Sequence, residues 1–143
     1  MSRRKARVLA FQTVYAKEAS DIPLEDLFAF SWTNENSKSG DEYVFAKLLA
    51  TGTIENQNQI DFLIKKYLSP SWDFSRINKV SLAILRISVY SLLFQKEIDS
   101  RVIIDEAIHI AKEYADLRAY KFINAMLDKI NKEVRKKNED EKK

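Results

Sequence analysis

Three observations predict an all-α protein of about seven helices, in two small bundles sharing an interface. The 143 residues include only two Gly and two Pro, whereas a β-sandwich or barrel needs a turn about every 8–12 residues and draws on Gly and Asn for positive φ. Apolar residues recur at helical spacing along most of the chain. The longest apolar run, 77–94, contains Lys79 and Arg86, so it reads as a core helix and not as a membrane span. The length implies one domain, or one domain in two lobes. A chain of this size buries roughly 68–70% of its extended surface, enough for a core without disulfides or metal.

The elements follow in order. Residues 3–19 place Ala6, Leu9, Ala10, Thr13 and Val14 on one side at about 100° per residue. Pro23 suits the start of a short second helix whose Leu24, Leu27 and Phe28 share a face. The polar stretch 31–40, SWTNENSKSG, reads as a loop. Asp41 is expected to cap one long third helix over 41–68, with its polar middle, Glu55 to Gln59, facing solvent. Ser69-Pro70-Ser71 breaks the chain, dividing an N-terminal lobe (about 1–69) from a C-terminal lobe (about 70–135). Beyond it come a short segment at 73–77 and helices over about 79–95, 101–115 and 117–135. The helix over 79–95 is apolar nearly all round and is expected to be buried by neighbours on several sides. Arg86 within it requires a carboxylate partner or a place at the edge of the packing. Ile103, Ile104, Ala107, Ile108 and Ala111 point inward from the next helix, and Ile123, Met126, Leu127, Ile130 and Val134 from the last. The charged tail 136–143 reads as disordered.

Composition excludes much chemistry. Without Cys there is no thiolate nucleophile, disulfide or Cys-based zinc site. The single histidine, His109, rules out HExxH, and Gly40 and Gly52 lie too far apart for GxGxxG or a Walker A loop. His109 has Asp105 and Glu113 at i−4 and i+4, an arrangement that most often is simply solvated. No carboxylate pair shows a catalytic spacing, so neither catalytic residue, metal nor cofactor is assigned and the chain is not expected to be an enzyme. The N-terminus lacks the apolar run of a signal peptide, and a cytoplasmic location away from membranes is expected.

The net charge is only +3, from 24 basic and 21 acidic residues, but its placement is uneven. Arg3, Arg4, Lys5 and Arg7 crowd the first turns with no acid among them. Such a cluster suggests an anion-binding surface, with nucleic acid foremost. Arg3, Arg4 and Arg7 fall within about 100° of arc, and Val8, Phe11 and Tyr15 continue that side at i, i+3 and i+7. Two readings fit: arginines for phosphate with aromatics for unpaired bases, or a broad core stripe bordered by solvated arginines. On the last helix Lys121, Asn124 and Asp128 recur at i, i+3 and i+7 with Phe122 at their flank. That stripe fits either a surface that reads bases and backbone together or an ordinary solvent face.

Taken together, the segments resemble the NusB family of bacterial transcription antitermination factors over nearly the whole chain. The stretch Arg3-Arg4-Lys5-Ala6-Arg7, with Ala10, Gln12 and Tyr15, is similar to the family's arginine-rich first helix. Leu85-Arg86-Ile87 with Tyr90 and Leu92 matches LRIALYEL. Val102, Ile104, Asp105-Glu106-Ala107-Ile108 and Ala111-Lys112 match V.INEAIELAK. Lys121-Phe122-Ile123-Asn124 and Leu127-Asp128 match KFVNGVLD. Ser81-Leu82 stands where the family often has an acidic then a basic residue, Ser100 replaces a frequent proline, and Ala125 replaces a glycine.

The resemblance implies an all-helical two-bundle fold that binds boxA RNA together with the ribosomal protein NusE. It also implies entry into an RNA polymerase antitermination complex with other Nus factors, acting chiefly on ribosomal RNA operons. Carried over residue by residue, Arg3, Arg4, Lys5 and Arg7 contact RNA phosphates, and Lys121, Phe122 and Asn124 extend the RNA surface. Tyr15 and the region of Ser81, Leu82 and Arg86 lie on the NusE side. Two other readings stay open. One is an RNA-positioning accessory domain, as found fused to ribosomal RNA cytosine methyltransferases. The other is a homodimeric protein-interaction bundle that hides the arginine-rich helix.

Overall fold

The computed structural model of the chain describes residues 3–33, 38 and 40–135. The described residues form seven α-helices and one 3₁₀ turn, with no strand. The helices are α1 (Arg3–Ala19), α2 (Leu24–Leu27), α3 (Asp41–Glu55), α4 (Gln57–Tyr67), α5 (Lys79–Phe94), α6 (Ser100–Tyr114) and α7 (Leu117–Val134), with the 3₁₀ turn at Phe74–Arg76. The tail 136–143, expected to be disordered, lies outside the described residues.

Helix α5 is the axis of the fold. Residues 81–89 along it are all buried, because α1, α3, α4, α6 and α7 each pack against it. Its all-round hydrophobicity therefore has the consequence expected of it. One continuous core draws on α1 (Phe11, Val14), α3 (Leu49), α4 (Ile60, Ile64), α5 (Leu85, Leu92), α6 (Ile110) and α7 (Ile123, Leu127). A smaller cluster of Ala6, Leu9, Phe30, Tyr43 and Ala46 closes the region between α1 and α3. Fully buried Phe30 adopts φ 48°, and its ring meets those of Tyr43 (5.2 Å) and Trp32 (5.5 Å). Packing of this ring holds a backbone conformation that a bulky residue seldom takes.

Two expectations about the third helix are corrected. Gly40, not Asp41, is its N-cap, and Asp41 is its first residue, where its charge faces the positive end of the helix dipole. The helix expected over 41–68 is two helices, broken at Asn56 (φ −107°, ψ 18°). The Asn56 amide donates to the Gly52 carbonyl at 2.8 Å, as its backbone N–H does at 3.1 Å. A short amide side chain competing for backbone hydrogen bonds is what ends the helix. The polar run 55–59 is thus a joint, beyond which α4 packs on α5 and α7. Among the described residues, four α-helices therefore precede Ser69-Pro70-Ser71 and three follow, where three and four were expected, and the segment 73–77 holds only a 3₁₀ turn.

The later helices begin at side-chain caps. Asn78 Oδ1 accepts from Val80 N (2.9 Å), Asp99 from Arg101 N (2.8 Å) and Asp116 from Ala119 N (2.8 Å), each satisfying an N–H that the helix leaves free. Close approach of α3 to α5 requires Gly52, where a Cβ would overlap the Tyr90 ring.

Candidate nucleic-acid interface

The basic face of α1 is largely occupied by the protein itself. The Arg3 guanidinium lies 4.3 Å from the centre of the Phe45 ring on α3, a cation–π contact. Arg4 forms a two-pronged pair with Glu106 on α6, Nε and Nη2 donating at 3.0 and 3.1 Å. These bonds from Arg4 hold the Glu106 carboxyl below its ordinary range despite its partial burial, with the charges of Arg7 and His109 adding to the effect. Lys5 pairs with Glu42 at 3.2 Å.

Arg7, expected at RNA phosphates, is instead only 6% exposed, and its Nε has no hydrogen-bond partner. Burial pushes the Arg7 guanidinium below its ordinary pKa, with nearby Glu106 opposing and Arg3 reinforcing the shift. Its neighbours around a small void are Leu49, Ser88, Ile103 and Ala107. The cause is its position on the helix: Ala6, Leu9 and Ala10 face inward, and Arg7 shares their side. Phe11 is buried with them and Tyr15 is 38% exposed, so only the second of the two α1 aromatics reaches solvent.

The residues expected on the partner side divide similarly. Leu82 and Arg86 are buried, and Ser81 is buried at the wall of a surface cleft. Arg86, 3% exposed, donates through Nε and Nη2 to both oxygens of Asp61 (2.9 Å each) and through Nη1 to Glu18 (3.2 Å). Burial alone would lower its pKa, but the bonds and charges of Asp61 and Glu18 outweigh that and raise it. Arg86 thus joins α1, α4 and α5, supplying the carboxylate partnership that its place in an apolar helix demanded. Among these residues, Tyr15 offers the exposed side chain.

On α7 the expected residues face outward. Lys121 and Asn124 are exposed, and Phe122 is half-buried. Phe122 stacks on Trp72, ring centres 5.6 Å apart and planes within 16°. The two rings line a cleft of about 290 Å³ between the turn after Ser69-Pro70-Ser71, the start of α5 and the α6–α7 junction. Tyr114, also at its wall, packs 5.2 Å from Phe11 and so connects the cleft to α1. Arg76 and Arg118 complete the cationic lining, and both are exposed. Sequence reasoning missed Trp72, Arg76 and Arg118; an aromatic and a cation immediately after a Pro-containing break were the available signal. His109, Asp105 and Glu113 do not converge, and no group of three metal-ligating side chains occurs among the described residues. No helix there is long and apolar enough to cross a membrane.

Unpaired cations beside stacked aromatics, on the outside of a bundle centred on one buried helix, define an all-helical protein with a surface suited to anionic, planar ligands. The sequence profile of the NusB family matches residues 4–132. The chain is 46% identical over 131 residues to the transcription antitermination protein NusB of Treponema denticola, covering 91% of this chain and 96% of that protein. Its fold is similar to that of T. maritima NusB, with a TM-score of 0.83, 34% identity and 96% of each chain covered. It is also similar to a NusB solved with NusE and double-stranded RNA, with a TM-score of 0.81, 31% identity and coverage of 91% of this chain and 96% of that one. The chain belongs to the NusB family.

Proposed function

We propose that this chain is a non-catalytic antitermination factor that binds boxA RNA jointly with NusE. In that complex it joins RNA polymerase and other Nus factors, acting on ribosomal RNA operons in the cytoplasm. The observation that carries this reading is the near full-length likeness to a NusB solved with NusE and RNA. The geometry supports a division of labour. Lys121 and Asn124 are exposed beside Phe122, so a cation, an amide and an aromatic edge are available together for phosphate and base. Arg3, Arg4 and Lys5 add positive charge from α1, with Arg4 and Lys5 exchanging a carboxylate for a phosphate when RNA arrives. Tyr15 offers the α1 surface on the NusE side.

A titration of boxA and scrambled RNA, with and without NusE, tests this. The expected result is preference for boxA and a gain in affinity when NusE is present. Lys121→Ala is expected to weaken binding and to reduce the slope of log K against log salt by about 0.7, the value for one lost single-strand phosphate contact. Equal binding to both RNAs with no gain from NusE would leave only a generic basic surface.

A further inference from the structure

The most exposed large aromatic assembly beside free cations is not on α1 but at the cleft. Trp72 is 54% exposed although one face of its indole is covered by Phe122. Leaving so much of a tryptophan in water is costly for folding alone. Its pose is nevertheless fixed locally. Its backbone N–H donates to the Ser69 carbonyl at 2.8 Å, the Ser69 and Ser71 hydroxyls are 3.0 Å apart, and Asp73 caps the following turn through Ser75 N, so the chain that carries the ring is held, while the stack on Phe122 holds the ring itself.

The charge around it is equally uncommitted. Among the described residues, neither Arg76 nor Arg118 has an ion pair or side-chain hydrogen bond. On α7, Arg118 and Lys121 are neighbours at i and i+3, with Phe122 at i+4. The acid at the wall, Asp116, has one carboxylate oxygen committed to the Ala119 N–H. A fixed, outward-facing ring flanked by unpaired guanidinium groups matches single-stranded nucleic acid, whose flat bases alternate with phosphates. An apolar peptide anchor would leave those guanidinium groups unanswered.

We propose that Trp72 is a stacking platform for one unpaired base of the bound RNA, with Arg76 and Arg118 holding the phosphates beside it. The base extends the Phe122–Trp72 stack outward, since 5.6 Å between the rings leaves no room between them. This rests on the RNA-binding reading above and adds to it a contact residue and the strandedness of the RNA there.

The test uses the full chain. In a Trp32→Phe background Trp72 is the sole tryptophan, and its fluorescence is expected to be quenched by boxA RNA. Trp72→Ala is expected to weaken RNA binding about tenfold without lowering the melting temperature, Trp72→Phe to retain most of the affinity, and Arg76→Ala to flatten the salt dependence. Wild-type binding with no quenching, and undiminished binding by Trp72→Ala, overturns the stacking role while the RNA-binding reading stands. Absence of RNA binding by the wild type overturns both. Quenching by NusE without RNA shows the cleft to be a protein site and overturns the proposal.

Discussion

Two regions of this molecule use arginine in opposite ways. In the seam where α1 meets α4, α5 and α6, Arg7 and Arg86 are buried, and Arg86 is held by two carboxylates. At the cleft, Arg76 and Arg118 face solvent and, among the described residues, bind nothing. Seam and cleft both carry guanidinium groups, yet only the second pair is available to a ligand without rearrangement. Basic residues counted along a sequence are therefore a poor measure of an anion site; what matters is how many the fold leaves unspent.

The sharpest way to test the division is Arg86→Ala. It removes the buried member of the pair and leaves Asp61, whose side chain is 14% exposed, without its partner. Breaking a fully buried pair costs about 3–5 kcal/mol, so a loss towards the lower end is expected, readable as a shift in urea midpoint. Glu18→Gln, at an exposed partner, should cost far less. An Arg86→Ala protein as stable as wild type would place Arg86 among the available cations.

Arg7→Met comes next. The unsatisfied Nε means that an apolar side chain of similar length removes a buried polar group lacking a bond. Stability within about 1 kcal/mol of wild type is expected, with RNA affinity unchanged. Tenfold weaker RNA binding by a stably folded Arg7→Met would erase the distinction between seam and cleft.

The smallest expected effect belongs to Glu106→Gln, which frees Arg4 from its pair. A gain of about two- to threefold in RNA affinity is expected, in keeping with an exposed pair, and titration at fixed salt measures it. The pH dependence has a definite sign. Because the folded-state pKa of Glu106 is depressed, the pair stabilises the fold above the ordinary carboxylate range, and that contribution is lost as pH falls through the depressed value. Wild-type and Glu106→Gln stabilities should converge in acid and separate towards neutrality.

Much of the fold could be read directly because its signals are local. The unbroken apolar run of α5 and the inward stripe of α1 each state their own burial, and Ser69-Pro70-Ser71 states a break. The joint at Asn56 was not legible, since a polar run marks a solvent face and a helix junction equally well. On α7 the outward placement of Lys121 and Asn124 beside half-buried Phe122 could be read from their adjoining positions on one helix. On α1 the surroundings of the basic residues could not be read, because the partner of Arg4 lies 102 residues away and the burial of Arg7 depends on packing that no short window contains. Trp72 escaped notice because the residues preceding it read only as punctuation.

The end of α5 carries one more consequence. Arg135 donates to the carbonyls of Ser91, Leu92, Gln95 and Ile98 at 2.6–3.2 Å, adding to the backbone N–H groups of Gln95 and Ile98 that already bond the Ser91 and Gln95 carbonyls. Its positive charge also sits at the negative pole of the most buried helix. During synthesis, which proceeds from the N-terminus, this clasp cannot close until 40 residues after Gln95 have been made. The C-terminal end of the central helix therefore lacks this guanidinium until the last helix of the chain has been made.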